Sequence, residues 1–140
     1  MSELIHRIKV FVFEAAGPEP RYLLLRSAQG IESLWGPVHG TIGFGEKLEH
    51  AIHREVLDDT GLLQPAGVID LGMPTHWSFG DEDVIEWTYG FQTIAAPPQL
   101  RLDPRWAEFR WASFGAAYPT LELDADRAAI MRLHTILRAA

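Results

Sequence analysis

Glu55, Asp58 and Asp59 stand at i, i+3 and i+4 in a segment whose apolar residues Leu48, Ala51, Ile52 and Val56 recur at helical spacing. On a helix their carboxylates share one face. Three like charges there repel one another, and Asp58 and Asp59 fall in the last turn, where the macrodipole disfavours negative charge. Two penalties at one place point to something that compensates them. Clustered hard oxygen atoms are what Mg²⁺ or Mn²⁺ requires. A bare E-x-x-D-D is more often a solvated acidic face, so its surroundings decide. Gly40, Gly43 and Gly45 permit a tight loop ahead of the helix. Glu46 and Arg54 are spaced for an ion pair that braces this loop against the helix. His50 and His53 also share a helix face, yet no third nitrogen or sulfur ligand is near in sequence, and no zinc site is expected.

The whole stretch resembles the Nudix box, G-x5-E-x7-R-E-U-x-E-E-x-G-U, where U is a bulky aliphatic residue. Gly40, Glu46, Arg54, Glu55, Val56, Gly61 and Leu62 all fall in register. The pattern is long, gapped and has many fixed positions, so a chance match is improbable. Leu23, Leu24, Leu25 and Arg26 resemble the strand that precedes the box. The flanking strands and final helix are similar to the family's α/β/α sandwich, so the resemblance covers most of the chain. Within the motif the usual Glu-Glu pair is replaced by Asp58 and Asp59, each shorter by one C–C bond of roughly 1.5 Å. Charge survives and reach does not.

The resemblance implies hydrolysis of a nucleoside diphosphate linked to a further group, by water activated on a divalent ion, Mg²⁺ or else Mn²⁺. By position in the motif, Glu55, Asp58 and Asp59 are the implied metal ligands, with the backbone carbonyl of His39 or Gly40 as a further one. Glu46 and Arg54 position rather than react. Substrate-binding candidates are Arg26, Trp35 and Gly40; for Arg26 an ordinary strand-end charge is an equal reading. The general base is Glu55 or an acid beyond the box, with Asp81, Glu82, Asp83, Asp103 and Glu108 all available. The competing reading is a Nudix-like nucleotide-binding module with weak or no turnover.

Trp35, Val38 and Gly40 resemble the W-x-x-V-x-G segment of dihydroneopterin triphosphate pyrophosphatases and dATP pyrophosphohydrolases, where most other Nudix proteins have P-G-G. Glu108 to Trp111 resembles that branch's closing strand. Six positions before Trp111 that branch has an acidic residue and this chain has Arg105, which removes the expected base. Trp35, Trp77, Trp87 and Trp106 could stack on a pterin or purine ring, although packing in a small core is the commoner role for any one of them.

Elements must place these residues. A strand is expected from about Ile5 to Glu14, where Ile8, Val10 and Val12 alternate with Lys9, Phe11 and Phe13, so that both faces are covered. A turn at residues 17–20 leads to a strand from Arg21 to Arg26. The first helix runs from about Leu48 to Thr60 with Gly61 as its cap. Strands follow at Gly67 to Trp77 and Val84 to Thr93, with residues 80–83 as a turn between them. Pro97 and Pro98 open a loop, and Phe109 to Trp111 form a short strand. The last helix is capped by Asp124 or Asp126 and carries the stripe Ala129, Ile130, Leu133, Ile136 and Leu137. Two helices separated by strands predict an α/β fold, a mixed sheet between helices.

The totals agree with one domain spanning residues 1–140. Hydrophobic residues make up 47% and charged residues 22%, too few charges for a disordered chain. Net charge is −7, from 12 basic and 19 acidic residues, which disfavours a nucleic-acid polymer as partner. An acidic protein with a phosphorylated small-molecule substrate needs a cation between them. There is no cysteine, hence no disulfide or thiolate chemistry. No apolar run approaches the roughly 20 residues that span a bilayer. Glu3, His6 and Arg7 interrupt any leader, so a cytoplasmic protein without a membrane partner is expected. Homodimers are common among the family, and no residue here establishes one.

Overall fold

The computed structural model describes residues 3–28, 34–63, 65–94, 96–97 and 99–139. Its centre is β1 (Glu3–Glu14), which runs parallel to β7 (Glu82–Thr93) along its whole length. The opposite edge of β1 is shared by β4 (Val38–Thr41) and β2 (Arg21–Ser27), both antiparallel. β2 in turn pairs with β3 (Trp35–Gly36) and β8 (Trp106–Ala112), while β5 (Gly67–Asp70) and β6 (Thr75–Phe79) divide the far edge of β7. One parallel pair among antiparallel ones makes the sheet mixed, as expected.

The alternation in β1 explains the layers. Ile8, Val10 and Val12 pack with Ala51, Ile52 and Val56 of α1 (Leu48–Thr60). Phe11 and Phe13 point the other way, into a second core with Ala117, Ala129, Ile130 and Leu133 from α2 (Phe114–Thr120) and α3 (Asp124–Ala139). The sheet is therefore sandwiched between helices, and its central strand is apolar on both faces because both are covered. No described helix is long and apolar enough to cross a membrane.

The first helix has the bounds read from the sequence. Gly61, at φ 80°, closes it by donating its N–H to the Leu57 carbonyl, a left-handed cap that a side chain would strain. Five expectations need correction. The strand expected over Gly67 to Trp77 is two strands, because the chain breaks at Leu71–Pro74 and re-pairs further along β7. The turn expected at residues 80–83 is only Gly80 and Asp81; Glu82 and Asp83 already pair with Phe79 and Ser78. The strand at Phe109 extends back to Trp106. A third helix, α2, was not expected; Ser113 caps it, its hydroxyl accepting from Ala116 N–H, and seven residues with Pro119 inside are too short for a clear period. Asp124 and Asp126 lie inside the first turn of α3, and the Asp126 carboxylate accepts from the Lys9 ammonium at 2.6 Å. Pro98 lies outside the described residues.

The sheet and α3 approach closely at Gly90. A Cβ there would sit 2.9 Å from Leu133 Cδ1 and 3.3 Å from Phe13 Cε1. Gly90→Ala is expected to destabilise the fold by about 1–3 kcal/mol through overpacking. Urea unfolding checks this; an unchanged midpoint would mean that α3 shifts freely.

Candidate functional site

Three segments meet at the C-terminal half of α1. The first is the loop after β4. Glu46 accepts two hydrogen bonds from Arg54, at 2.7 Å from Nε and 2.9 Å from Nη2, and a third from Gly43 N–H at 2.8 Å. The Arg54 hydrogen bonds, joined by that from Gly43, hold the Glu46 carboxyl well below the usual carboxylate range, and Glu46 in turn raises the pKa of Arg54. Arg54 also donates to the Thr41 carbonyl at 3.0 Å and to Glu55 Oε1 at 2.8 Å. The expected brace between loop and helix is present as a bidentate pair, the geometry that suits a planar guanidinium.

The second segment is β4 itself. A Cβ on Gly40 would lie 2.1 Å from Glu55 Cδ and Oε1, so the glycine leaves the space that the Glu55 carboxylate occupies. Glu55 is 8% exposed. Burial raises its pKa, opposed first by the hydrogen bond from Arg54.

The third segment lies some 45 residues further on. The N–H groups of Arg101 and Asp103 donate to the carbonyls of Thr60 and Asp59, so the loop before β8 docks on the end of α1. The Asp103 carboxylate accepts from Arg105 N–H at 2.9 Å and shapes the turn. Arg105 is thereby aimed into the site. Its Nη2 donates to the His39 carbonyl at 2.6 Å and to Asp59 Oδ2, and lies 3.5 Å from Glu55 Oε2. Asp59 is 2% exposed; burial raises its pKa and Arg105 opposes this.

Of the three acids expected on one face, Glu55 and Asp59 converge, while Asp58 is exposed. The compensation that their spacing called for is supplied here by Arg54 and Arg105. Among the described residues no three acidic or histidine side chains gather as a cation site, so any such site would combine two carboxylates with a backbone oxygen. Carboxylate and carbonyl oxygens of this kind fit a hard divalent cation in chemistry. Gly40, by admitting Glu55, keeps one of them in place.

Beside this centre lies a cavity of about 900 Å³ on the α3 side of the sheet. Trp35, Trp77 and Trp106 contribute aromatic surface to it, and Arg7, Lys9, Glu86 and Asp126 a charged floor. Lys9 lies 3.5 Å from Glu86 and Arg7 lies 3.4 Å from it. His39 belongs to both places: its carbonyl meets Arg105, and its Nδ1 faces Arg7 at 3.1 Å. Since arginine can only donate, His39 accepts there and carries its proton on Nε2. Burial, reinforced by Arg105, Arg7 and Lys9, pushes its pKa down to about 4.

The remaining candidates are distributed as follows. Arg26 pairs across strands with Glu108 at 2.6 Å. Trp35 lies under the Arg110 guanidinium, 4.6 Å from the ring centroid. Trp87 packs against the core beneath α1. Asp83 accepts from Ser78, Asp81 sits in the β6–β7 turn, and Glu82 lines the cavity. The charged floor was missed from sequence. A signal for it was Lys9, a charge at the middle of a strand apolar on both faces.

The profile of the NUDIX domain family matches residues 5–133. No curated protein matches the chain. Among solved structures, a NUDIX hydrolase structure from Listeria monocytogenes superposes with a TM-score of 0.83 at 20% identity, covering 96% of this chain and 94% of that one. The dihydroneopterin triphosphate pyrophosphohydrolase of E. coli gives 0.75 at 17%, covering 94% and 95%. The NUDIX domain of Shewanella oneidensis NrtR, complexed with ADP ribose, gives 0.74 at 15%, covering 100% and 91%. At these identities the superpositions speak for the fold.

Proposed function

The chain belongs to the Nudix family, and from that premise we propose that it is a pyrophosphohydrolase acting on a nucleoside or pterin triphosphate, or on another nucleoside diphosphate derivative. The observation that carries this reading is the buried Glu55 carboxylate seated over Gly40, with Asp59 one helical turn on and the His39 carbonyl opposite. Nudix enzymes generally need divalent metal ions, and these three oxygens are the proposed ligands, with Asp58 as an outer one. Mg²⁺ is the proposed ion and Mn²⁺ the alternative. When bound, such an ion supplies charge neutralisation on the phosphoryl oxygens and acidification of the attacking water.

The chain's own residues do the rest. Glu46 and Arg54 hold the loop to the helix, so that the Thr41 end of β4 and the Glu55 carboxylate keep their spacing. The cavity volume is within the range that takes a small ligand, and its tryptophans offer flat apolar surface for a base or pterin. Glu55 and the cavity-lining Glu82 are the proposed candidates for the base; Asp103 and Glu108 are engaged in the turn and in the Arg26 pair.

Incubation with Mg²⁺ and a panel of nucleoside triphosphates, nucleotide sugars, ADP-ribose and dihydroneopterin triphosphate tests the proposal. Release of phosphate, pyrophosphate or a nucleoside monophosphate from at least one compound is expected, and none without a divalent ion. Tight binding across the panel with no product would favour a binding module instead.

A further inference from the structure

The Arg105 guanidinium holds the same oxygens that the proposed function gives to a divalent ion. We propose that Arg105 is a competing internal cation: a divalent ion and this guanidinium occupy the acidic centre one at a time, so the ion binds only when Arg105 has left. The inference rests on the reading of Glu55 and Asp59 as ion ligands.

Geometry makes the two exclusive. Nη2 is 2.6 Å from the His39 carbonyl, hydrogen-bonded to Asp59 Oδ2 and 3.5 Å from Glu55 Oε2. Mg²⁺ approaches its oxygen ligands to about 2.1 Å. An ion shared by these three oxygens would come too close to Nη2 for both to fit, and two positive centres there would also repel.

The fold builds the arginine in rather than leaving it to chance. The Asp103 N–H bond to the Asp59 carbonyl and the Asp103 carboxylate bond to Arg105 N–H fix the backbone on which it is carried. Its side chain packs against the Trp106 ring at 4.9 Å and remains 37% exposed, which gives the guanidinium a way out to solvent. Electrostatics favours exchange in one direction when ions are abundant. With Arg54 remaining on Glu55, a divalent ion brings two charges to the buried pair where Arg105 brings one, whereas the guanidinium competes without any cost of association because it belongs to the chain.

Binding of Mn²⁺, followed by the loss of the free-ion paramagnetic resonance signal, tests this on the intact protein and on Arg105→Gln, Arg105→Lys and Glu55→Gln. Arg105→Gln is expected to bind Mn²⁺ about tenfold more tightly or better, since the competent state is no longer depleted. Arg105→Lys keeps a competing charge and should stay within about threefold of the natural chain. Without metal, the melting temperature of Arg105→Gln should fall, and Mn²⁺ should raise it by more than it raises that of the natural chain. Equal or weaker Mn²⁺ binding by Arg105→Gln, with binding still abolished in Glu55→Gln, would overturn the competition and leave the site assignment standing. Binding that is unaffected by Glu55→Gln would overturn both.

Discussion

Glu55→Gln is expected to lower turnover by more than about 100-fold, because altering groups that merely support a metal ligand already costs 10- to 100-fold. The fold should not suffer. Glutamine has the same shape, fits the same space over Gly40, and its amide oxygen can still accept from Arg54. The sign of the stability change follows from the pKa. Burial raises the Glu55 carboxyl above its unfolded value, so the folded state holds its proton more tightly. That group therefore favours folding at acid pH and opposes it as pH rises through the folded pKa. At neutral pH the uncharged amide removes this opposition, and the melting temperature should be unchanged or higher. Product release measured with Mg²⁺, alongside thermal unfolding without it, separates the two effects. Turnover within a few-fold of the natural chain would mean that the metal site is misassigned.

Gly40→Ala should do comparable damage to catalysis by a different route. Gly40 does not have a positive φ, so the backbone accepts alanine; the obstacle is the carboxylate 2.1 Å from the new Cβ. The Glu55 side chain must swing away, breaking its contact with Arg54 or Arg105. Misplacing a reacting group by about 1 Å can cost 10²-fold in rate, and a loss of that order is expected. Because the clashing atoms end a flexible side chain, the cost in stability should stay within about 1–3 kcal/mol. Gly90→Ala is the control: its clash is with Leu133 and Phe13 in the core, so it should lose stability and keep its rate per folded molecule. Full activity in Gly40→Ala would show that Glu55 needs no such seat.

These two positions also show how far the sequence reaches. Gly40 was legible as a motif position, but its reason was not. The glycine matters because the Glu55 carboxylate of α1 comes to lie against β4 there, and no spacing rule shows which side chain meets it. Glu46 and Arg54 were different. They are close in the chain, their loop is short, and helical periodicity already placed them for the pair that forms. The bounds of α1, its Gly61 cap and the apolar stripe of α3 were readable for the same reason: each is a local pattern with a fixed period.

The outward position of Asp58 marks the boundary of that logic. Helical spacing put Glu55, Asp58 and Asp59 on one broad face, yet only Glu55 and Asp59 lie under the docked loop. Asp126 is a second case. In the sequence it is an acid near a helix start, whereas in the fold its carboxylate meets the Lys9 ammonium, 117 residues away in the chain. Both outcomes depend on how elements pack, which local patterns do not encode.

By itself, then, the sequence determined the family, the mixed α/β layering and the acidic turn of α1, because periodicity and motif spacing act over neighbouring residues. The tertiary structure alone decided that Arg105 faces those acids, that Asp58 does not, and that a charged floor lies beneath three tryptophans. Docking of the 101–105 loop onto two helix carbonyls is the physical reason for the first of these. Such long-range contacts depend on the summed packing of several elements, and no stretch of chain contains that sum.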